Sequence, residues 1–512
     1  MRRPTKNTLE LRTSLPPRRT TLRCCWTPPC PPRILARVNR ADAEPAYDRR
    51  IGLFTATLLV VGGIIGSGIF LNPAIVTQRV GSASLTLGVW ALGAVIALLG
   101  AAIFAELGRR RPEAGGGYAY LRDAFGPLPA FLYAWALLLV ISTGAIAAVA
   151  MTFAGYATAL VGAPAELQRP LALAAVALLT MINILGVAPG ALLQNVFTLL
   201  KLAALVVLLV AALLAPAAAV VPLAASATAS AVSPAVGLLD VVRAVATALV
   251  PVLFAFGGWQ QTNFVAEELR EPERTLPRAL GLGVSIVVAV YLLTNYSYLR
   301  VLGVQGLAGS SAPAADTMSR VAGPFGRTMV AAAIAASTFG FLDVVILVSP
   351  RVYQAMARDG LFFASFARLH PRFRTPVTAI VVQGIWAAAL LLVGSYGQLL
   401  DYVTFADWIF FGLTAAALVA IRRHDARVIG AEGDVGFRAP FYPWIVGLFV
   451  LAAAYVVAGA IASNPANALR GSLILAAGVP VYVFWRGRAG RPRGDRALSP
   501  RSDVGAGVAA DS

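Results

Sequence analysis

Hydrophobic positions gather into about twelve long apolar stretches, separated by short segments that hold most of the charge. They cover residues 52–78, 85–107, 127–161, 170–188, 193–214, 241–265, 279–302, 328–356, 377–394, 400–421, 440–462 and 467–485. Stretches of this length cross the roughly 30 Å hydrocarbon core as helix. The pattern therefore predicts an all-α membrane protein with twelve transmembrane helices, numbered here as spans 1–12. The connections 215–240 and 303–327 are long and built largely of small, apolar and hydroxylated residues; neither reads as a soluble domain.

Composition supports the pattern. The chain is 58% hydrophobic and 13% charged, with mean hydropathy +0.75. A water-facing surface cannot be made from that balance, but a lipid-facing one can. The net charge of +18 raises the possibility of nucleic-acid binding. It is rejected because the basic residues sit in short loops and at the two ends, as membrane topology requires. With the N-terminus inside, sixteen loop arginines fall on the inner side and seven on the outer. This bias predicts an even number of spans with both termini cytoplasmic. Arginine-rich, Ala- and Gly-rich usage resembles a GC-rich bacterial gene, which makes the cell inner (cytoplasmic) membrane the expected location.

Residues 1–50 are Arg-, Pro- and Thr-rich, with no apolar core for a signal peptide, and read as a disordered basic tail. Val38 is an alternative start if its codon is GTG, in which case part of the tail is not translated. Residues 487–512 read as a disordered cytoplasmic tail, leaving 51–486 as the membrane domain. The three cysteines (Cys24, Cys25, Cys30) all lie in the first tail, and the only histidines, His370 and His424, lie in loops. No metal site, cofactor or histidine catalysis within the membrane is expected.

Span 1 carries the first unusual chemistry. It reads GLFTATLLVVGGIIGSGIFLNPA, with Gly62, Gly63, Gly66 and Gly68 within seven residues. Each glycine costs a helix about 1 kcal/mol. In lipid, unwound backbone is tolerated only where it is buried or lines a polar cavity. A break here frees amides at Gly66, Ser67 and Gly68 and carbonyls at Ile64 and Ile65. The second half-helix would aim its positive end at a carboxylate, while the carbonyls would suit an ammonium. Opposite ends of one break thus suit the two backbone groups of an α-amino acid. A small-residue packing face is the other reading of the same glycines. Span 6 has a matching interruption at Gly257-Gly258, preceded by Phe254-Ala255-Phe256. Interrupted helices at corresponding places in two halves point to inverted repeats with a midplane site.

IIGSGIF in span 1, FAFGGWQQTNFVAEELREPERTLPRA in span 6 and its loop, FAELGRRRPEAGGGYAYLRDAFGPLPAFLYAW between spans 2 and 3, and PRVYQAMARDGLFF after span 8 resemble the amino acid–polyamine–organocation superfamily. Within it the chain looks like a bacterial relative of the L-type amino acid transporters. The resemblance covers about 50–485. It implies a LeuT-type fold of 5+5 inverted repeats with broken helices 1 and 6, and sodium-independent exchange or uptake of amino acids. It further implies that amides of Ser67, Gly68 and Ile69 hold the substrate carboxylate. Carbonyls of Ile64, Ile65, Phe254 and Phe256 would hold the amino group, and the Phe254 ring would close the outer gate.

Lys201, in QNVFTLLKLAAL of span 5, is the only lysine within a span. It either snorkels to the inner face or serves function. The resemblance places it at the break, its ammonium doing the work of a sodium ion. Tyr298 of span 7 matches a tyrosine near the transport path, and an interfacial belt is the other reading. Asp343 of span 8 stands where the family usually has asparagine, so it would accept a proton, pair with a cation, or be a hydrogen-bonded structural acid. Asp407 of span 10 is less unusual among bacterial relatives. Glu106, Glu267 and Glu268 at the inner helix ends read either as gate or loop ion pairs with neighbouring arginines or as solvated charges. Animal relatives bond a heavy chain through a cysteine in the loop matching 162–169, GAPAELQR; this loop has none, so no disulfide-linked partner is expected.

The leading expectation is a secondary amino acid transporter working by alternating access across the lipid bilayer. A proton-coupled cationic amino acid or polyamine carrier is the alternative that Asp343 favours. A transporter-like amino acid sensor is disfavoured by short, featureless tails. A membrane enzyme lacks a metal cluster, a nucleophile–base pair and a Walker-type loop.

Overall fold

The computed structural model describes residues 47–216, 220–221, 237–393, 396–428 and 436–489. All but residues 47–50 and 487–489 of the two predicted tails, the three cysteines and most of the connection 215–240 lie outside the described residues. Among the described residues the chain is helical, with one isolated strand-like bridge, Ile51 to Leu269.

The spans are α1, in two halves, α1a (Leu53–Ile64) and α1b (Gly68–Val80); α2 (Ala83–Arg110), α3 (Pro127–Leu160) and α4 (Gln168–Ile184); α5 (Val187–Leu213), α6 (Leu238–Phe256), α7 (Pro272–Ala308) and α8 (Pro313–Val348); α9 (Val377–Val393), α10 (Tyr396–Val428), α11 (Trp444–Ser463) and α12 (Pro465–Ala489). Ten are long and apolar enough to cross a membrane singly, the bent α1 pair makes an eleventh, and α9 is a shorter apolar helix of 17 residues.

Local chemistry sets several ends. Ser82 caps α2 through Leu85 N at 3.2 Å. Proline opens α3, α7 and α8, where a missing N–H costs nothing. The same rule explains why α5 starts at Val187 and not at the expected 193: Pro189 falls in its first turn, where proline is permitted. The segment 303–327, expected as a loop, is largely helical, continuing α7 and opening α8 across kinks at Gly303 and Gly323. Its helical start at Pro313 is held by Ser310 Oγ and Asp316 at 2.6 Å.

Packing places the broken helices at the centre. The half-helix α1a lies between α5 and α7, α1b lies on α6, and α8 packs against α3 and α5. Pro251 inside α6 cannot donate to the Thr247 carbonyl four residues back. The Arg79 guanidinium of α1b donates to that carbonyl instead, and Asn72 Nδ2 donates to Pro251 O at 2.8 Å. These two side chains tie α1b to the proline turn of α6.

At one end of the bundle the acids are paired with arginine. Glu106 is fully buried and accepts from Arg110 at 2.7 Å, Arg422 at 2.8 Å and Ala439 N at 2.7 Å. Glu268 and Arg351, both buried, meet at 2.6 Å, and Glu267 meets Arg358 at 3.2 Å. Burial decides against plain solvated charges for Glu106 and Glu268. Ile51 N donates to Glu268 O at 3.0 Å and Arg270 N to Ile51 O at 2.9 Å. The segment before α1 is thereby fastened beneath the same pair.

Candidate substrate-binding site

The α1 halves meet at a 42° bend. Ile65 leaves the helix with φ −75° and ψ 90°, and α1b restarts at Gly68 with no side-chain cap. A helix start leaves its first amides without intrahelical acceptors. Phe70 N turns back to Ser67 O at 3.1 Å, while the amides of Ser67, Gly68 and Ile69 lie at the uncapped end. This is the anion-favouring end of a helix.

The break in α6 lies directly against the break in α1. Gly258 has φ +114°, and a Cβ there would stand 2.1 Å from Gly63 O. No side chain fits that approach, so the glycine is required by both conformation and space. Tyr291 of α7 spans the two breaks: its hydroxyl lies 3.2 Å from Ile64 O and 3.2 Å from Ala255 O. A phenol has one proton, so it satisfies one of these carbonyls at a time and leaves the other an open acceptor.

Lys201 is fully buried, and its ammonium donates to Gly62 O at 3.2 Å and Ile65 O at 2.8 Å. It does not snorkel. Ser337 of α8 also donates to Ile65 O, at 3.3 Å. Two donors occupy both lone pairs of the Ile65 carbonyl, leaving none for a substrate ammonium. The Ile65 carbonyl, expected as an amino-group ligand, instead faces Lys201.

A cavity of about 90 Å³ lies at the two breaks. An enclosed water needs about 10–15 Å³ on this measure, so there is room for a small solute. The breaks contribute Ile64, Gly66, Ser67, Gly68, Phe254, Ala255 and Gly257 to its lining. Ile65, Ile69 and Phe256 are buried but do not line it; Phe256 packs on Trp90 at 5.8 Å and Tyr291 at 5.0 Å. Further lining comes from Leu137, Ile141 and Ser142 of α3 and Thr404, Asp407 and Trp408 of α10. In α3 the turn at Leu137–Ile141 is a π-helix. Such wide turns cluster at functional sites.

A family model described as amino acid permease matches residues 51–485. The chain belongs to the amino acid permease family. The permease is 32% identical to the Asc-type amino acid transporter 1 of Mus musculus over 458 residues, 88% of this chain and 84% of the relative. It is 35% identical to the b(0,+)-type amino acid transporter 1 of Homo sapiens over 381 residues, 74% of this chain and 77% of the relative. It is 30% identical to the cystine/glutamate transporter of Pongo abelii over 461 residues, 88% of each. The permease is thus a multi-pass amino acid transporter and not an enzyme.

Two expected residues stand away from the cavity. Tyr298 is fully buried, which removes the belt reading, but it does not line the cavity; Tyr291, two helical turns earlier, reaches the breaks. Asp343 is buried and accepts from Asn183 Nδ2 at 2.8 Å, with no cation beside it among the described residues. The acid that lines the cavity is Asp407. An acid within a span was the signal for both; the sequence did not say which one faced inward.

Proposed function

We propose that the permease moves amino acids by sodium-independent alternating access, as exchange or uptake, with the substrate's backbone groups held across the α1 break. The amides at Ser67, Gly68 and Ile69 would take the carboxylate. The carbonyls of Ile64 and Phe254, each with a lone pair left beside its backbone bond, and of Ala255 would take the ammonium. The observation that carries the reading is Lys201, whose fixed ammonium neutralises the break carbonyls of Gly62 and Ile65. A resident cation there removes the need for a metal ion to stabilise the unwound backbone. The Phe254 ring, partly exposed in the cavity wall, would close over bound substrate. The Glu268–Arg351 and Glu267–Arg358 pairs would close the cytoplasmic end and part when it opens. Both termini would be cytoplasmic, in the cell inner membrane, as the arginine asymmetry requires. With no cysteine in 162–169, a disulfide-linked heavy chain is not part of the reading.

Uptake of a panel of labelled amino acids into proteoliposomes tests it. Transport should be equal in sodium and potassium media and respond to amino acid loaded inside the vesicle. A strict sodium requirement would overturn the role given to Lys201, and an absence of amino acid movement in every condition would overturn the whole reading.

A further inference from the structure

With the backbone groups of an amino acid held at the two breaks, its side chain meets the rest of the cavity lining. This step rests on the proposed function above. That lining is largely apolar: Leu137, Ile141, Val149, Phe341, Trp408 and Phe411 are among its members. Among the described residues Asp407 is the only ionisable side chain in it, and no lysine, arginine or histidine lines it there.

The fully buried acids among the described residues each meet a side-chain donor, although Asp343, like the half-buried Asp407, keeps one enclosed oxygen without a partner. Glu106 is met by Arg110 and Arg422, Glu268 by Arg351, Asp425 by Arg110 and Arg111, and Asp343 by Asn183. Asp407 Oδ1 is buried and has no hydrogen-bond partner among the described residues. A buried polar oxygen without a partner is unfavourable, and a carboxylate more so. Asp407 stands on a cavity wall, so the missing donor can arrive with the substrate. A neutral aliphatic side chain would seal the carboxyl away from water with nothing to bond. A side chain ending in an N–H or O–H would satisfy it, and an ammonium or guanidinium would also match its charge.

We propose that Asp407 is the specificity-determining residue of the cavity and selects amino acids whose side chain ends in a hydrogen-bond donor, a positively charged nitrogen above all.

The test uses the full chain in proteoliposomes and the labelled near-isosteric pairs L-lysine with L-norleucine and L-threonine with L-valine. For the wild type, uptake per unit concentration should favour lysine over norleucine by about 10- to 100-fold, the range for a hydrogen bond to a charged group. Threonine should exceed valine by a smaller factor. Asp407→Asn keeps the size and hydrogen-bonding capacity but removes the charge. It should narrow the lysine-to-norleucine ratio by about tenfold or more and disturb the threonine-to-valine ratio less. Asp407→Leu should reverse both preferences. A wild-type ratio favouring norleucine and valine overturns the inference while leaving amino acid transport standing, and it needs no variant to fold. An Asp407→Asn ratio equal to wild type overturns it too. If none of the amino acids moves, the proposed function falls and this inference with it.

Discussion

Removing the Lys201 ammonium is the sharpest perturbation of the site. Its two hydrogen bonds, 3.2 Å to Gly62 O and 2.8 Å to Ile65 O, hold the end of α1a in the unwound geometry. Hydrogen bonds from a charged donor contribute about 1.5–3 kcal/mol each. Taking the lower figure for both gives about 3 kcal/mol, a shift of over 100-fold in the population of the competent break. Ser337 still reaches Ile65 O at 3.3 Å, so the loss is not total at that carbonyl. Lys201→Ala also leaves a void; Lys201→Met keeps most of the volume and isolates the charge and hydrogen bonds. Both variants should express and elute as a single species, and both should lose transport by at least about 100-fold in sodium-free proteoliposomes. The comparison that decides is initial uptake rate per reconstituted protein. Lys201→Met at close to the wild-type rate would refute the argument, because a side chain that cannot donate would then suffice at the break.

Tyr291→Phe removes the phenol bridge between Ile64 O and Ala255 O. It should raise KM by about three- to tenfold, the loss of one neutral hydrogen bond; concentration-dependent uptake measures it. The same substitution at Tyr298, which does not line the cavity, should change KM less. Gly258→Ala places a methyl 2.1 Å from Gly63 O at φ +114°. The backbone conformation alone costs about 1–2 kcal/mol, and the overlap is with rigid backbone. Transport should be lost and thermal stability in detergent should fall; retained uptake would mean that the breaks do not touch in the working protein. Arg351→Leu leaves the buried Glu268 carboxylate unpaired, at a cost of about 3–5 kcal/mol. Its melting temperature should drop, and adding Glu268→Gln should recover most of the loss.

The sequence by itself determined the number and rough extent of the spans, because hydropathy is summed over some twenty residues and tolerates errors at the ends. It also located both helix breaks, since clustered glycines inside an apolar span weaken the helix wherever the span packs. The arginine asymmetry belongs to the loops and was legible for the same reason. Residue identity at the cavity was legible only where the broken backbone itself lines it, as at Ser67 and Gly68.

Side-chain roles depended on how each helix is rotated and what it meets, and only the tertiary structure decided those. Tyr291 and Tyr298 are seven residues apart on α7, close to the same face but about 10 Å apart along the axis. Only the height of the α1 break beside that helix selected Tyr291. Asp343 and Asp407 are both acids in apolar spans, yet one turns to Asn183 and the other to the cavity. The carbonyls of Ile64 and Ile65 are adjacent and chemically identical in sequence. Lys201 and Ser337, distant in the chain, fill the second and leave the first to Gly66 N and a shared phenol proton. A run of glycines announces that backbone is exposed; which groups remain open to a ligand depends on donors brought in from other helices.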